Sequence, residues 1–490
     1  MLAPMWTGDP AHPPALYKLP DELWLLILSH IPALYPWHSS NLGYDDAFGA
    51  PSGPAGLKTT FQAENRFVQG QFRAWMQTME ACLCVCSAWY VELRPSLDEW
   101  VLFRNASELR AFLRARPPVE HLAIRRVDVH YDECYPDALV QPFLGRCTAL
   151  EQLHLNQLNN YLSFDVPLSL LDVIACTSAR VQSIGFPKRG IPAQSLELLA
   201  RLPGLETLSV GADKCPFTPA QLSPYISSLS TAAFASVHHL RIDLPVLSRA
   251  SDFLFNHLPA TSLPALHSLV LSTVETPFRM PSSAFTQPFS ARVVEPFFLS
   301  HGPKLRTLQF TLAEPQQHGH LCRLAAYCPS LQRLALPACE HTHEAAPAWS
   351  LPCLEELAVG NFMQLNPENA LQISDHWRNV VGLVLAFTAP ASAAAPSTNT
   401  STNPEQPPAS SAFPSLRTLR LADVLPWRLR EPSAPEPWAH QMKLARKVEQ
   451  LCSERGMRVV DCTGGPVGVG GRMAGRWPQE GGRVKLGAGF

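Results

Sequence analysis

Cysteine and histidine crowd together most densely at Cys339-Glu-His341-Thr-His343-Glu, with His318 and His320 upstream and Cys353 downstream. Thiolate and imidazole are the ligands of zinc, and a loop can bring such groups together. The spacing fits no zinc-finger pattern, however, and loop histidines are ordinarily solvated. The expectation is that no metal and no cofactor is bound. A metal or thiol hydrolase built on Cys339, His341 and His343 is the enzymatic alternative, and metal analysis would test it. A second run, Cys82-x-Cys84-x-Cys86, falls in a segment of helical pattern. There Cys84 projects away from the other two, which favours thiols in a helix interface. No G-x-S-x-G elbow, phosphate loop or H-E-x-x-H pair occurs. The Gly-rich 463–490 contains no complete G-x-G-x-x-G after a strand, so no dinucleotide site is expected.

Composition narrows the classes further. The net charge of −2 gives no electrostatic reason for nucleic acid or an anionic membrane. The densest basic stretch, with Arg104, Arg110, Arg114, Arg116, Arg125 and Arg126, lacks interleaved stacking aromatics and reads as a solvated face. Thirteen scattered cysteines and no visible secretory signal point to a reduced compartment, cytoplasmic and/or nuclear. The uncharged run at 380–395 is too short for a membrane span and contains Pro390. A hydrophobic content of 46% is ample for a core.

Two helical stretches open the chain. In LPDELWLLILSHI (19–31), Pro20 suits a first helical turn and Asp21 and Glu22 meet the positive end of the helix dipole. Pro32 ends it. Its apolar residues run nearly all round, so it should be buried on more than one side. Residues 73–93 give a second helical pattern through Trp75, Met79, Cys82, Cys86, Trp89 and Leu93. The two together resemble an F-box: LPxEL with ILxxI in the first half, and V-C-x-x-W-x-x-L at Val85, Cys86, Trp89 and Leu93 in the second. Residues 32–72, rich in Gly and Pro, separate the halves by more than the family's usual dozen residues and read as an inserted loop.

A repeat takes over after an expected strand ending at Phe103 and an amphipathic helix carrying Leu109, Phe112 and Leu113. Its unit is apolar-x-x-apolar-x-apolar. Copies begin at Val119, Leu150, Val181, Leu205, Val237, Leu266, Leu305, Leu331, Leu354, Val380 and Leu416. The interval averages about 30 residues, which resembles long, irregular leucine-rich repeats. Each copy should be a short strand that buries alternate residues only when stacked on its neighbours. Return helices fit between copies, at SLELLARLP and LCRLAAYCPS for example. Pro203, Pro264, Pro303, Pro329, Pro352 and Pro414 mark the turn from helix into strand. A last helix over about 436–455, with Gly456 as its C-cap, should feed a terminal strand, MRVVDC.

The reading is therefore an α/β chain: a short all-α F-box, then an irregular leucine-rich-repeat solenoid with parallel strands inside and helices outside. Its parts are a disordered tail at 1–18, the F-box at 19–97, the repeats at 98–462 with a low-complexity insert at about 388–412, and a flexible tail at 463–490. The resemblance implies a substrate-recognition subunit of an SCF-type ubiquitin ligase, itself non-catalytic. Leu19, Pro20, Leu23, Ile27, Val85 and Trp89 would meet, or support the face that meets, a Skp-type adaptor and through it a cullin scaffold. The looser alternative is a repeat-based interaction scaffold with a structural helical cap. A repeat-type GTPase activator would need an exposed loop arginine that the sequence does not single out. The middle position of each strand should face a protein target: Ala123, His154, Gly185, Ser209, Arg241, Val270, Gln309, Ala335, Ala358, Val384 and Arg420. His154, Arg241, Gln309 and Arg420 are its most informative side chains. Neither nucleic acid nor membrane is an expected partner.

Overall fold

The computed structural model describes residues 72–94, 97, 99–116, 121–131, 137–157, 168–177, 180–190, 194–211, 233–245, 254–274, 294–311, 323–337, 351–360, 378–385, 413–421 and 446–461, a few single positions aside. Among them one sheet runs from Trp100 to Asp461. Its strands are β1 (Trp100–Phe103), β2 (Arg126–Tyr131), β3 (Gln152–Gln157), β4 (Ser183–Gly190), β5 (Thr207–Gly211) and β6 (His239–Pro245). It continues with β7 (Ser268–Val274), β8 (Thr307–Thr311), β9 (Arg333–Pro337), β10 (Glu356–Gly360), β11 (Thr418–Leu421) and β12 (Arg458–Asp461). The spatial order is the chain order, and every neighbouring pair is parallel.

Period-two alternation explains each strand. Leu153, Leu240, Leu269, Leu308 and Leu334 point to one face and are fully buried among helical and turn residues. The residue between two such positions points the other way. Pro187, which has no N–H to give a ladder, sits where β4 loses its regular register with β5, between Phe186 and Gly190.

A recurrent turn delivers the chain into each strand. The leading apolar residue donates its N–H to the carbonyl three residues earlier, as in Leu205 to Leu202, Leu266 to Leu263, Leu305 to Gly302, Leu331 to Cys328, Leu354 to Leu351 and Leu416 to Phe413. Pro203, Pro264, Pro303, Pro329, Pro352 and Pro414 each hold the second position of these turns. The fixed proline φ suits that place, which accounts for their recurrence. The residue just before the strand then offers its carbonyl to two N–H groups of the next strand's entry. Glu206 O accepts from His238 (3.0 Å) and His239 (3.2 Å), and His238 O from His267 (3.1 Å) and Ser268 (3.0 Å). The same pairing runs from Glu99 O, below Arg125 and Arg126, to Glu355 O, below Arg417 and Thr418.

Two expected strands are corrected. The copy placed at Val119 belongs five residues later: Ile124, Val127 and Val129 are the buried set, and β2 is Arg126–Tyr131. Apolar residues at 122, 124, 127 and 129 allow either register. The structure takes the one that puts Arg126 and Asp128 in the strand, because those charges pair. Ala123 therefore lies before β2, and Asp128 fills its place in the row. The copy at Val380 is helical over 378–385 and β10 pairs directly with β11. Val380, Val381, Leu383 and Val384 are buried at a spacing that a short apolar run shares between helix and strand. Val384 thus leaves the row.

At the first edge, residues 75–83 and Ser87–Leu93 form two helices rather than the single helix expected over 73–93, with a turn at Cys84 and Val85. Cysteine and β-branched valine are weak helix formers, so little holds a helix through that point. Trp75, Met79 and Leu93 pack on Trp100 of β1. At the last edge, the helix at 446–453 ends at Gly456, which has φ 69°, and β12 follows as expected. The expected helix at 19–31, the insert at 32–71 and most of the low-complexity segment lie outside the described residues. No described helix is long and apolar enough to cross a membrane.

Adjacent returns are bonded laterally. His301, fully buried, donates from Nε2 to Leu258 O (3.1 Å) and stacks on Phe297, while Lys304 Nζ reaches Ala260 O (2.8 Å) and Leu263 O (2.6 Å). A Cβ at Gly302 would meet Tyr327 O at 2.6 Å. Gly302→Ala should therefore cost about 1–3 kcal/mol in urea denaturation. Gly204→Ala, whose Cβ has nothing nearer than 3.6 Å, should stay within about 0.5 kcal/mol of wild type. Burial, with Lys304 nearby, pushes the His301 imidazole down to about 4. The unfolded chain then binds the extra proton below about pH 6.5, so His301 erodes stability as pH falls from there towards 4. His301→Leu should lower the midpoint near neutrality and flatten this acid limb, as a pH series of urea midpoints would record.

Candidate interaction surface

The face opposite the helices carries two rows of side chains in register. One runs through Arg126, Gln152, Ser183, Thr207, His239, Ser268, Thr307, Arg333, Glu356 and Thr418. The other runs through Asp128, His154, Gly185, Ser209, Arg241, Val270, Gln309, Ala335, Ala358 and Arg420. Apart from Ala123 and Val384, this second row matches the sequence expectation.

Its first part is an internal polar knot. Asp128, fully buried, accepts from Trp100 Nε1 (2.6 Å), Arg126 Nε (2.6 Å), Arg126 Nη2 (3.1 Å) and His154 Nδ1 (3.0 Å). The Arg126 guanidinium also lies 4.6 Å from the centre of the Trp100 ring. Burial alone would push the Asp128 carboxyl up. Arg126 and the His154 hydrogen bond outweigh it and hold Asp128 well below the usual carboxylate range. Burial lowers the His154 pKa, against the opposing pull of Asp128, so the imidazole stays neutral near pH 7. With Nδ1–H given to Asp128, His154 Nε2 faces Ser183 Oγ at 3.4 Å as an acceptor.

Asp128, His154 and Ser183 thus have the connectivity of a hydrolase relay. The relay is enclosed: His154 is 3% exposed and Ser183 1%. Both amides entering at residues 182 and 183 are spent on Glu151 O, so they cannot serve as oxyanion donors. The cluster therefore braces β1–β4. Beside it, at the strand entries, Arg125 lies between Glu151 (2.9 Å) and Glu99 (3.6 Å).

The expected site residues fall in different surroundings. Leu19, Pro20, Leu23 and Ile27 lie outside the described residues, as do His318, His320, Cys339, His341 and His343. Among the described residues no group of His, Cys, Asp and Glu could hold a metal ion. Val85 is 46% exposed, and Trp89 is half-buried against the Trp75–Trp100 cluster. Tyr90 and Val91, at 51% and 72%, are also exposed and were not singled out from the sequence. A wholly helical reading of 73–93 gave no reason to favour them. His154 is spent inside the knot and offers no free nitrogen to a target. Arg241 and Gln309 are buried in the row, while Arg420 is half-buried and donates Nε to Glu356 at 2.8 Å. Arg126 and Asp128 were missed because the β2 register was, and Ser183 because it lies in the first row, one position from those expected to face a target. Buried Cys147 and Cys328, with thiols pushed up to about 12 by burial, are inert packing residues. No family model and no curated protein matches the chain.

Replacing Asp128 removes the buried carboxylate that pairs with the Arg126 guanidinium at 2.6 Å. Asp128→Asn is expected to cost about 3–5 kcal/mol, and Ser183→Ala under about 1.5 kcal/mol, in urea denaturation. The carboxylate's contribution is present above about pH 4 and lost as pH falls further. The gap between wild type and Asp128→Asn should therefore narrow in acid.

Proposed function

We propose that this chain is the substrate-recognition subunit of an SCF-type ubiquitin ligase, in which an F-box docks on a Skp-type adaptor and a leucine-rich-repeat solenoid holds a protein target. The observation that carries the reading is the surface of the helical pair. Val85, in the turn between the two helices, and Tyr90 and Val91, on the second helix, are exposed there, while Trp75, Met79 and Leu93 fix the pair to β1. An apolar surface on a firmly mounted element is what a docking partner covers. The F-box resemblance puts its adaptor face in this same segment. The sheet supports the second half of the reading, since strands in strict chain order are what stacked repeats produce. The receptor contributes proximity rather than chemistry: the adaptor and cullin scaffold bring a ubiquitin-charged enzyme to the target held on the polar face. Such a receptor works in the cytoplasm and/or nucleus.

A second reading rests on Trp100. The helical pair covers the edge strand, which a structural cap would do without any adaptor. Co-purification with a Skp-type adaptor separates the two. Wild type should bind stoichiometrically, while Leu19→Ala/Pro20→Ala and Val85→Asp/Val91→Asp should each lose the complex with unchanged circular dichroism. A folded wild type that binds no adaptor overturns the ligase reading and leaves the repeat scaffold.

A further inference from the structure

The charges of the polar face are unevenly placed. At β1–β3 they alternate in sign and neutralise one another locally. Where β6–β9 begin they do not alternate. His238 precedes β6 and His239 opens it, His267 precedes β7, Arg306 precedes β8 and Arg333 opens β9. Arg241 lies two residues into β6 from His239. The His238 and His267 rings stack with centroids 5.3 Å apart and planes at 21°. Hydroxyls fill the positions between: Ser268 Oγ meets His239 Nδ1 at 2.8 Å, and Thr307 Oγ1 accepts from Arg333 Nε at 3.1 Å.

Among the described residues, carboxylates flank this strip and do not enter it. Glu206 precedes β5 on one side. Glu355 and Glu356 stand at β10 on the other, with Glu356 taken by Arg420. Asp243 lies further along β6, in register with Ser272. This concentration of nitrogen occurs in a chain of net charge −2, so it is not general basicity.

We propose that the entry strip of β6–β9 is a docking site for a carboxylate-rich segment of a protein target. Arg306 and Arg333, both exposed, are the groups that meet carboxylates: Arg306 can do so with two parallel N–H donors, while Arg333 keeps its Nε on Thr307 Oγ1. His238, His239 and His267, half-buried beside them, line the strip with imidazole nitrogens. Three strand spacings of ~4.8 Å make the strip ~14 Å long, enough for about four extended residues. Among the described residues the strip holds no Phe, Tyr or Trp for a nucleic acid strand to stack on.

A proton linkage follows. Burial, with His238, His267, Arg241 and Arg333 adding to it, pushes His239 down to about 4. Burial, then His238, Arg306 and Arg333, lowers His267. The groups facing these rings across the strip are Glu206 on the β5 side and Arg306 and Arg333 on the β8–β9 side. A bound carboxylate relieves the cationic field, so the imidazoles take up protons on binding and affinity rises as pH falls.

The inference deepens the receptor reading and names the chemistry of its target. The test uses the full chain and three labelled probes: a short Glu-rich peptide, its Gln counterpart and a single-stranded oligonucleotide of equal length. The Glu peptide should bind about tenfold more tightly than the Gln peptide. It should bind about threefold more tightly near pH 6 than near pH 7.5. Arg306→Glu/Arg333→Glu should weaken it about tenfold, and His239→Asn/His267→Asn should flatten the pH dependence. The control Arg110→Glu/Arg114→Glu, on the helix Ala106–Arg114, should leave binding unchanged. Equal binding of both peptides, tighter binding of the oligonucleotide, unchanged affinity after charge reversal in the strip, or equal loss in the control overturns the proposal. Adaptor co-purification on the same variants keeps the two readings apart. Lost peptide binding with the adaptor retained locates the defect in the strip. Peptide binding without any adaptor binding leaves the strip standing on a scaffold that is not a ligase receptor.

Discussion

Parallel strands have no hairpin to hold them side by side, so something else must fix each one against the last. Here it is a single carbonyl at each strand entry from β1 to β10 that accepts two amide protons from the following strand. The geometry works only if the chain arrives from one direction, and the turn before the strand enforces that. An apolar residue opens the turn, proline often follows, and a buried leucine or valine closes it with an i to i+3 hydrogen bond. Everything between one strand and the next can vary in length and kind. The return before β5 is a short α-helix, Ser195–Leu199, the one before β9 is the 3-10 turn Leu324–Tyr327, and the helix at 378–385 lies between β10 and β11. Each is tolerated because the entry is already pinned. Gly302 shows the other side of this constraint, since the turn before β8 comes so close to Tyr327 O that no Cβ fits.

Because the core row and the entry ladder fix the strands, the residues of the opposite face can differ in chemistry from one strand to the next. The chain uses that freedom in two ways. Around β2 it builds polar stability into the sheet: one carboxylate collects an indole, a guanidinium and an imidazole, and the charges cancel inside the cluster. Such a knot has no capacity left for a partner. Around β6–β9 the same register positions carry like charges and titratable rings. The cost appears in His239 and His267, both held less basic than a free histidine. A face that were only structural would gain by replacing these groups with apolar or uncharged ones.

How far the sequence reached follows from which signals are local. The spacing of Leu150, Leu205, Leu266, Leu305 and Leu331 carried the strands, their parallel order and the residues of the opposite face, because a buried period of two leaves no choice of side. The Val119 copy failed where two registers shared the same apolar residues. What decided between them was a pairing of Arg126 with Asp128 that no window over hydrophobicity can see. The Val380 copy failed because apolar residues at 380, 381, 383 and 384 suit either period, and the packing against neighbouring repeats decides. The surface was less legible than the fold. His154 looked like a contact residue when its own strand was considered alone. Its role depends on Asp128 and Ser183, 26 and 29 residues away in the chain and adjacent only through the sheet register.

The same dependence on register governs what the polar face can recognise. A cationic residue isolated on one strand is a weak feature in water, since solvent screens it and its side chain must be ordered to be used. Parallel strands in one register convert such residues into a line at a fixed pitch, with each member held by a strand entry that is itself pinned. His238 and His267 are stacked because the carbonyl of His238 accepts the amides of His267 and Ser268. Recognition then costs less side-chain ordering, because the backbone has already set the spacing. Specificity on such a face belongs to the order of the repeats rather than to any one of them. Exchanging two strands with their entries would therefore keep the core row intact while rearranging the polar face, which is why a single strand's sequence says so little about that face.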